Sequence, residues 1–304
     1  MMRALESYLA VRRAAGFDLS NAGYLLASFV RFAAGRNETH IRTGTAIDWA
    51  VQTASVAQRD ARLKTVCRFA RYLHAEDDRH EVPPANHFAY HKTRRPPFIY
   101  SSDEINRLIE AALQLGSPDA LQSQTYATLI ALLAATGLRI SEALGLRFAD
   151  ITPDGLLIRE TKFQKTRLVP LHDTAMAGLH RYVTRRRQTG SDDDHVFIAD
   201  AGQSLRYPAV HSTFEKLLRT AELWPAPGGR RPRLHDLRHA FAVRALQASP
   251  AGRQRIAHHM VALATYLGHV NIYATYWYLE ATPDLLRDIA SAAETFICGE
   301  PSRR

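Results

Sequence analysis

Thr136–Leu146, TGLRISEALGL, is a short polar break set between two apolar stretches. The residues before it, Gln124–Ala135, carry the longest apolar run of the chain, Tyr126–Ala135. Ten such residues fall short of the roughly 18 a membrane span needs, so the run predicts a buried helix. Thr136–Gly137 ends that helix, and the pattern resumes helically over Arg139–Leu146. Gly137 permits a tight approach of backbone. Arg139 then falls at a helix start, where the helix dipole also favours an anion. Glu142 follows three residues on and can orient the guanidinium. The plainer reading is an exposed Arg139–Glu142 ion pair of small worth.

Downstream of this break, Leu156–Arg159 and Arg167–Leu171 read as short strands flanking the polar turn Lys162–Lys165, a hairpin. His195–Ile198 reads as a third short strand. Helices are expected over Thr174–Arg187, Pro208–Ala221, His235–Gln247, Met260–Leu267 and Pro283–Phe296. Upstream, Ser101–Glu104 is a helix N-terminus signal ahead of Ile105, Leu108 and Ile109. In RLHDLRHAFAVRAL, 233–246, His235 and Arg238 share a helix face, and His239 pairs with His235 at i, i+4. HDLRH imitates the zinc motif HExxH, but Asp236 is a methylene short of the required Glu and Arg238 would repel a metal. In TYLGHVNIYATYWYLE, 265–280, Gly268–His269 precede Tyr273, Tyr276, Trp277 and Tyr278. Those aromatics are either a packing stripe or one nucleophile with its surroundings.

Residues 1–76 look all-helical, with four apolar stripes. Leu5 and Leu9 open the first helix, which Gly16 ends; Leu25, Leu26, Phe29 and Val30 mark the second. Thr45 can cap the third, which holds Ile47, Trp49, Ala50 and Val51. Leu63, Val66, Cys67, Ala70 and Leu73 give the fourth, with Lys64, Arg68 and Arg71 on another face. That basic stripe is either a solvated face or a track along a nucleic-acid backbone. Pro83–Pro84 and Pro96–Pro97 then break the pattern and stiffen the chain, with Lys92, Arg94 and Arg95 between them. The expected organisation is a helical domain 1–76, a basic linker 77–99 and a second domain 100–304.

Thirty-nine Lys+Arg against 30 Asp+Glu leave a net charge of +9, which favours a polyanionic partner. Two distant cysteines, Cys67 and Cys298, form neither a disulfide framework nor a zinc spacing and suit a reducing interior. The N-terminal MMRALESYLAVRRAAGF lacks an apolar signal-peptide core, so a cytoplasmic location is expected. No phosphate-cradling G-x-x-x-x-G-K-[ST] loop and no carboxylate cluster for two metals occurs.

Taken in order, TGLRISEALGL, the lysine hairpin, LHDLRHAFA and LGHVNIYATYWY resemble the boxes of the tyrosine recombinase (phage integrase) family across most of residues 100–290. The tail YWYLEATPDLL resembles a transposon-borne subgroup. The resemblance implies a mainly α fold with a small β-sheet (α+β): a helical core-binding domain that clamps DNA, followed by a catalytic domain. It implies that Arg139 and Arg238 are the catalytic arginines, Lys162 the hairpin lysine, His235 and His269 the histidines, and Tyr278 the nucleophile. Thr161-Lys162-Phe163-Gln164 replaces the family's glycine-rich turn, which leaves Lys165 as the alternative lysine. Lys64, Arg68, Arg71, Lys92, Arg94, Arg95 and Lys165 are candidate DNA contacts. The partner implied is double-stranded DNA with specific sites, bound by a homotetramer, with accessory recombinases as further candidates. No cofactor, metal or membrane is expected.

The residue types suit the reaction so implied. A phosphodiester under attack spreads negative charge over its nonbridging oxygens, which arginine's planar fork grips without deprotonating. A tyrosine of pKa about 10 needs nearby cations and a proton acceptor, for which His235 is placed. The 5′-oxygen leaving group needs an acid, for which Lys162 is the candidate. Two alternatives share these residues: a type IB topoisomerase-like relaxing enzyme, and a non-catalytic DNA-binding protein on the same scaffold.

Overall fold

The structure, a computed structural model, describes residues 1–91, 96–117, 120–161, 165–248 and 253–268. The chain divides into two compact units, Met1–Arg95 and Pro96–Arg304. The described residues are mainly helical, with one small sheet.

The first unit packs helices α1 (Met2–Ala14), α2 (Ser20–Ala34), α3 (Thr43–Ala50) and α4 (Val56–His74) around one core. Leu5, Leu26, Phe29, Trp49, Leu63, Val66 and Phe69 are buried there, each from an apolar stripe at helical spacing. Thr45 does not cap α3. The helix begins two residues earlier, and Glu81, 38 residues away, accepts the Thr43 N–H at 2.7 Å. Thr45 is instead buried inside the helix and donates to Glu38 at 2.7 Å. A long-range acid has taken the role that a local hydroxyl was expected to play. The segment after α4 packs back on the same core through Val82, Ala85 and Phe88. There the buried His80 accepts the Ile41 N–H on Nδ1, and the Cys67 thiol donates to the Pro83 carbonyl.

The second unit opens with α5 (Ser102–Leu113), capped reciprocally by Ser101 and Glu104 as the sequence predicts. Next come α6 (Leu121–Thr136) and the short α7 (Ile140–Leu144). A three-stranded antiparallel sheet follows in the order β1 (Ile151–Thr152), β2 (Gly155–Thr161), β3 (Lys165–Val169). Leu156, Ile158 and Val169 are buried on its inner face, whereas Leu168 is exposed on the outer one. The strand expected at His195–Ile198 is not part of this sheet. It makes only isolated bridges, Arg147 with His195 and Ile198 with Ser204. Its apolar run is still explained, because Val196, Phe197 and Ile198 fill the core and Phe197 stacks on Tyr182.

Helices α8 (Asp173–Arg187), α9 (Tyr207–Thr220), α10 (Leu234–Gln247) and α11 (Arg253–Tyr266) complete the described part. α11 begins earlier than the Met260 expected, so part of the basic stretch Ser249–His259 is helical. α10 packs on α6 and α11, with Ala242, Val243, Leu246, Met260, Leu263 and Leu267 forming a local cluster. This packing brings the ends of α6, α10 and α11 together. The expected helix Pro283–Phe296 lies outside the described residues. No helix among the described residues is long and apolar enough to cross a membrane.

Candidate active site

Gly137 ends α6 in the left-handed conformation, φ +60°. A β-carbon there would lie 2.5 Å from Phe241 Cδ1 on α10, so only glycine lets the two helices close at this point. Two residues on, Arg139 is the N-cap of α7, with its side chain 30% exposed. On α10, Asp236 accepts from the backbone N–H and the guanidinium of Arg233, which fixes the helix start. Arg238 lies one turn further and is only 2% exposed.

The two arginines meet at the turn that ends α11. Arg238 donates to the Gly137 carbonyl at 2.7 Å and to the Leu267 carbonyl at 2.6 Å. Arg139 donates to the Gly268 carbonyl at 3.3 Å. Gly268 takes φ +65°, and residue 269 follows it directly. Three segments far apart in sequence are thus tied by guanidinium–carbonyl bonds, and their cations are concentrated in one place.

His235 sits on the same helix as Arg238, its ring edge-to-face with His239 at 4.8 Å. Part of the His235 ring is open to solvent, yet it is crowded by protein. That loss of water, and then the charge of Arg238, push its pKa below the ordinary imidazole value; Arg233 and Arg139 add to this against Asp236. The ring is therefore held neutral near neutral pH, with one nitrogen lone pair able to accept a proton. Tyr266 also lies near this cluster, but burial drives its phenol up to about 12, against Arg167 and Arg238, and it stacks on Phe241.

Glu142 is not half of an exposed ion pair. Its side chain is 6% exposed and serves two guanidinium groups. It accepts from the Arg139 N–H at 2.9 Å and from Arg139 Nη1 at 2.7 Å. Arg167 on β3 donates to both of its oxygens, at 3.0 and 2.8 Å. Burial pushes the carboxyl up, but Arg167 and then Arg139 outweigh it and hold it at about 2.

Arg167 is the residue that spacing along the chain does not single out. A signal existed in strand alternation, which sets Arg167 opposite Ile158 and on the inner face with Leu156 and Val169. A charge at an inward strand position needs a buried partner.

Among the expected site residues, the structure thus brings Arg139, His235 and Arg238 together. Lys162, His269 and Tyr278 lie outside the described residues, as do Lys92, Arg94 and Arg95. Lys165 is the first residue of β3. On α4, Arg68 and Arg71 are exposed, while Lys64 is bonded to the buried Asp60 at 2.8 Å. Two described clusters gather three residues of metal-ligating type each, His40–Asp77–His80 and Asp193–Asp194–His195. In both, the ligand atoms already brace the chain. His80 Nδ1 takes the Ile41 N–H, Asp77 holds Arg79, and Asp193 accepts from the backbone of His195 and Ser204.

Residues 99–284 match the phage integrase family. A candidate integrase/recombinase of Sinorhizobium fredii is 37% identical, over 94% of this chain and 94% of that protein. A tyrosine recombinase XerD of Rhizobium meliloti is 31% identical, over 75% of this chain and 71% of that one. Among solved structures, the Tn1549 transposon integrase in complex with transposon right end DNA is similar in fold. Its TM-score is 0.64 at 16% identity, covering 95% of this chain and 98% of that chain.

Proposed function

Because this chain belongs to the phage integrase family, we propose that it is a site-specific recombinase that cuts and rejoins DNA through a 3′-phosphotyrosine on Tyr278. One observation carries the reading. Arg139 and Arg238 converge on the Leu267–Gly268 turn, and that turn leads straight into His269 and, nine residues later, Tyr278.

In this scheme Arg139 and Arg238 hold the nonbridging oxygens of the scissile phosphate and stabilise the charge that grows on them. His235, kept neutral, takes the proton of the Tyr278 hydroxyl as it attacks phosphorus. His269 donates to a phosphate oxygen. Lys162, or Lys165 in its place, gives a proton to the departing 5′-oxygen. The phosphotyrosine bond keeps the energy of the diester it replaces, so the hydroxyl of another strand can displace the tyrosine. Neither ATP nor a metal is required for that exchange.

Reciprocal exchange between two duplexes breaks four strands, and each protomer supplies one Tyr278. The working assembly is therefore a homotetramer on two DNA sites. The tail YWYLEATPDLL, which resembles a transposon-borne subgroup, supports a role with a mobile element, and such a role places the protein with the DNA in a bacterial cytoplasm.

A nicked suicide substrate tests the reading. The wild-type chain should form a covalent protein–DNA adduct that Tyr278→Phe abolishes. An adduct that survives Tyr278→Phe refutes the nucleophile. No adduct at all points to a non-catalytic DNA-binding protein, and plasmid relaxation without recombinant product points to a topoisomerase.

A further inference from the structure

The Arg139–Glu142 pair raises a difficulty for a phosphate-gripping arginine. A lone buried carboxylate beside a guanidinium would capture it, because the pair satisfies itself in a site with little water. The geometry at β3 removes the difficulty. Arg167 covers both oxygens of Glu142 with one fork, at 3.0 and 2.8 Å, and leaves Arg139 only a single side-chain bond to Oε1. Arg139 Nη2 is thereby turned to the Gly268 carbonyl. The third donor of Arg167, Nε, binds the Tyr266 carbonyl at 2.9 Å, at the end of α11.

We propose that Arg167 is a positioning residue for strand cleavage. It occupies Glu142 so that Arg139 is oriented without being captured, and it ties the β2–β3 hairpin to the turn at Gly268. The inference rests on the recombinase reading above and adds to it a residue that does not touch the DNA.

Two further observations support it. Arg167 lies on the inner face of the sheet with its side chain 13% exposed, where a charge needs a partner, and Glu142 is that partner. Gly268 is matched to it, since a β-carbon there would sit 2.9 Å from Arg167 Nη1.

The test is single-turnover cleavage of the nicked suicide substrate, read beside equilibrium DNA binding and thermal unfolding of the full chain. With wild-type protein forming adduct, Arg167→Ala should slow cleavage by about 10- to 100-fold, the scale of a small misplacement of a reacting group. DNA affinity should change less than about threefold. Arg167→Lys, which keeps the charge but loses the fork, should fall between the two. In a Glu142→Gln background, Arg167→Ala should cost less than about threefold, because the residue acts through Glu142. A merely structural arginine would lower the unfolding temperature equally in both backgrounds and leave the rate of the folded fraction unchanged. Cleavage by folded Arg167→Ala at the wild-type rate overturns the proposal, as does full additivity with Glu142→Gln. If Arg167→Ala does not fold, Arg167→Lys decides: a rate within about twofold of wild type overturns it. Wild-type protein without adduct overturns the recombinase reading first, and this inference with it.

Discussion

His235 joins a lowered pKa to a position on the same helix as a buried arginine, and this gives the site a definite response to acid. Burial and then Arg238 disfavour its charged form. As the proposed base for Tyr278 it should stay competent down to and somewhat below the ordinary imidazole value of about 6.5. Single-turnover cleavage should therefore be flat as pH falls towards about 6.5 and drop at lower pH, once the ring takes a proton. His235→Asn should lower the plateau by about 10²-fold or more and remove that acid limb. An acid limb that persists in His235→Asn assigns the proton to another group. His235 and Arg238 were legible as one face because helical spacing converts a separation of three residues into a shared face, whereas Arg139 joined them only through the resemblance of its box. Arg167 was not, because its partner Glu142 lies 25 residues away and on another element. Local spacing carries no information about such a contact, and only the inward phase of β3 hints at it.

At the scale of elements, the junction of α6 with α10 depends on one glycine. Gly137→Ala would need a left-handed backbone, costing about 1–2 kcal/mol, and would drive a methyl group into Phe241. The variant should unfold at a temperature several degrees lower and lose cleavage more severely than DNA binding, since Arg238 hangs on the Gly137 carbonyl. Unchanged unfolding and cleavage would show that the helices can separate freely here. Most helices were readable from their apolar stripes, and α5 from its Ser101–Glu104 cap. The failures have separate causes. The start of α3 is set by Glu81, a residue supplied from beyond α4, which no local cap rule can anticipate. His195–Ile198 has the composition of a strand, but its apolar residues serve the core and its backbone finds only single bridges. β1 is two residues long, too short to register as alternation.

Over the whole molecule, the excess of nine positive charges is long-range and unspecific, whereas the cations at the proposed cleavage site are few and are aimed by carbonyls and Glu142 at one place. Affinity for duplex DNA must therefore draw on other basic faces, and the exposed Arg68 and Arg71 on α4 are a testable one. Replacing both with Ala should flatten the slope of log affinity against log salt by about 2 and leave the cleavage rate at saturating DNA unchanged. An unaltered slope would return that face to ordinary solvation. The division of labour has a further consequence in the way Arg238 is held. It donates to two main-chain oxygens, those of Gly137 and Leu267. No point substitution can delete a carbonyl. These two bonds therefore persist through any substitution that leaves the path of the chain unchanged. Descendants of such a protein could acquire new target sequences on their outer surfaces without having to reinvent the cut.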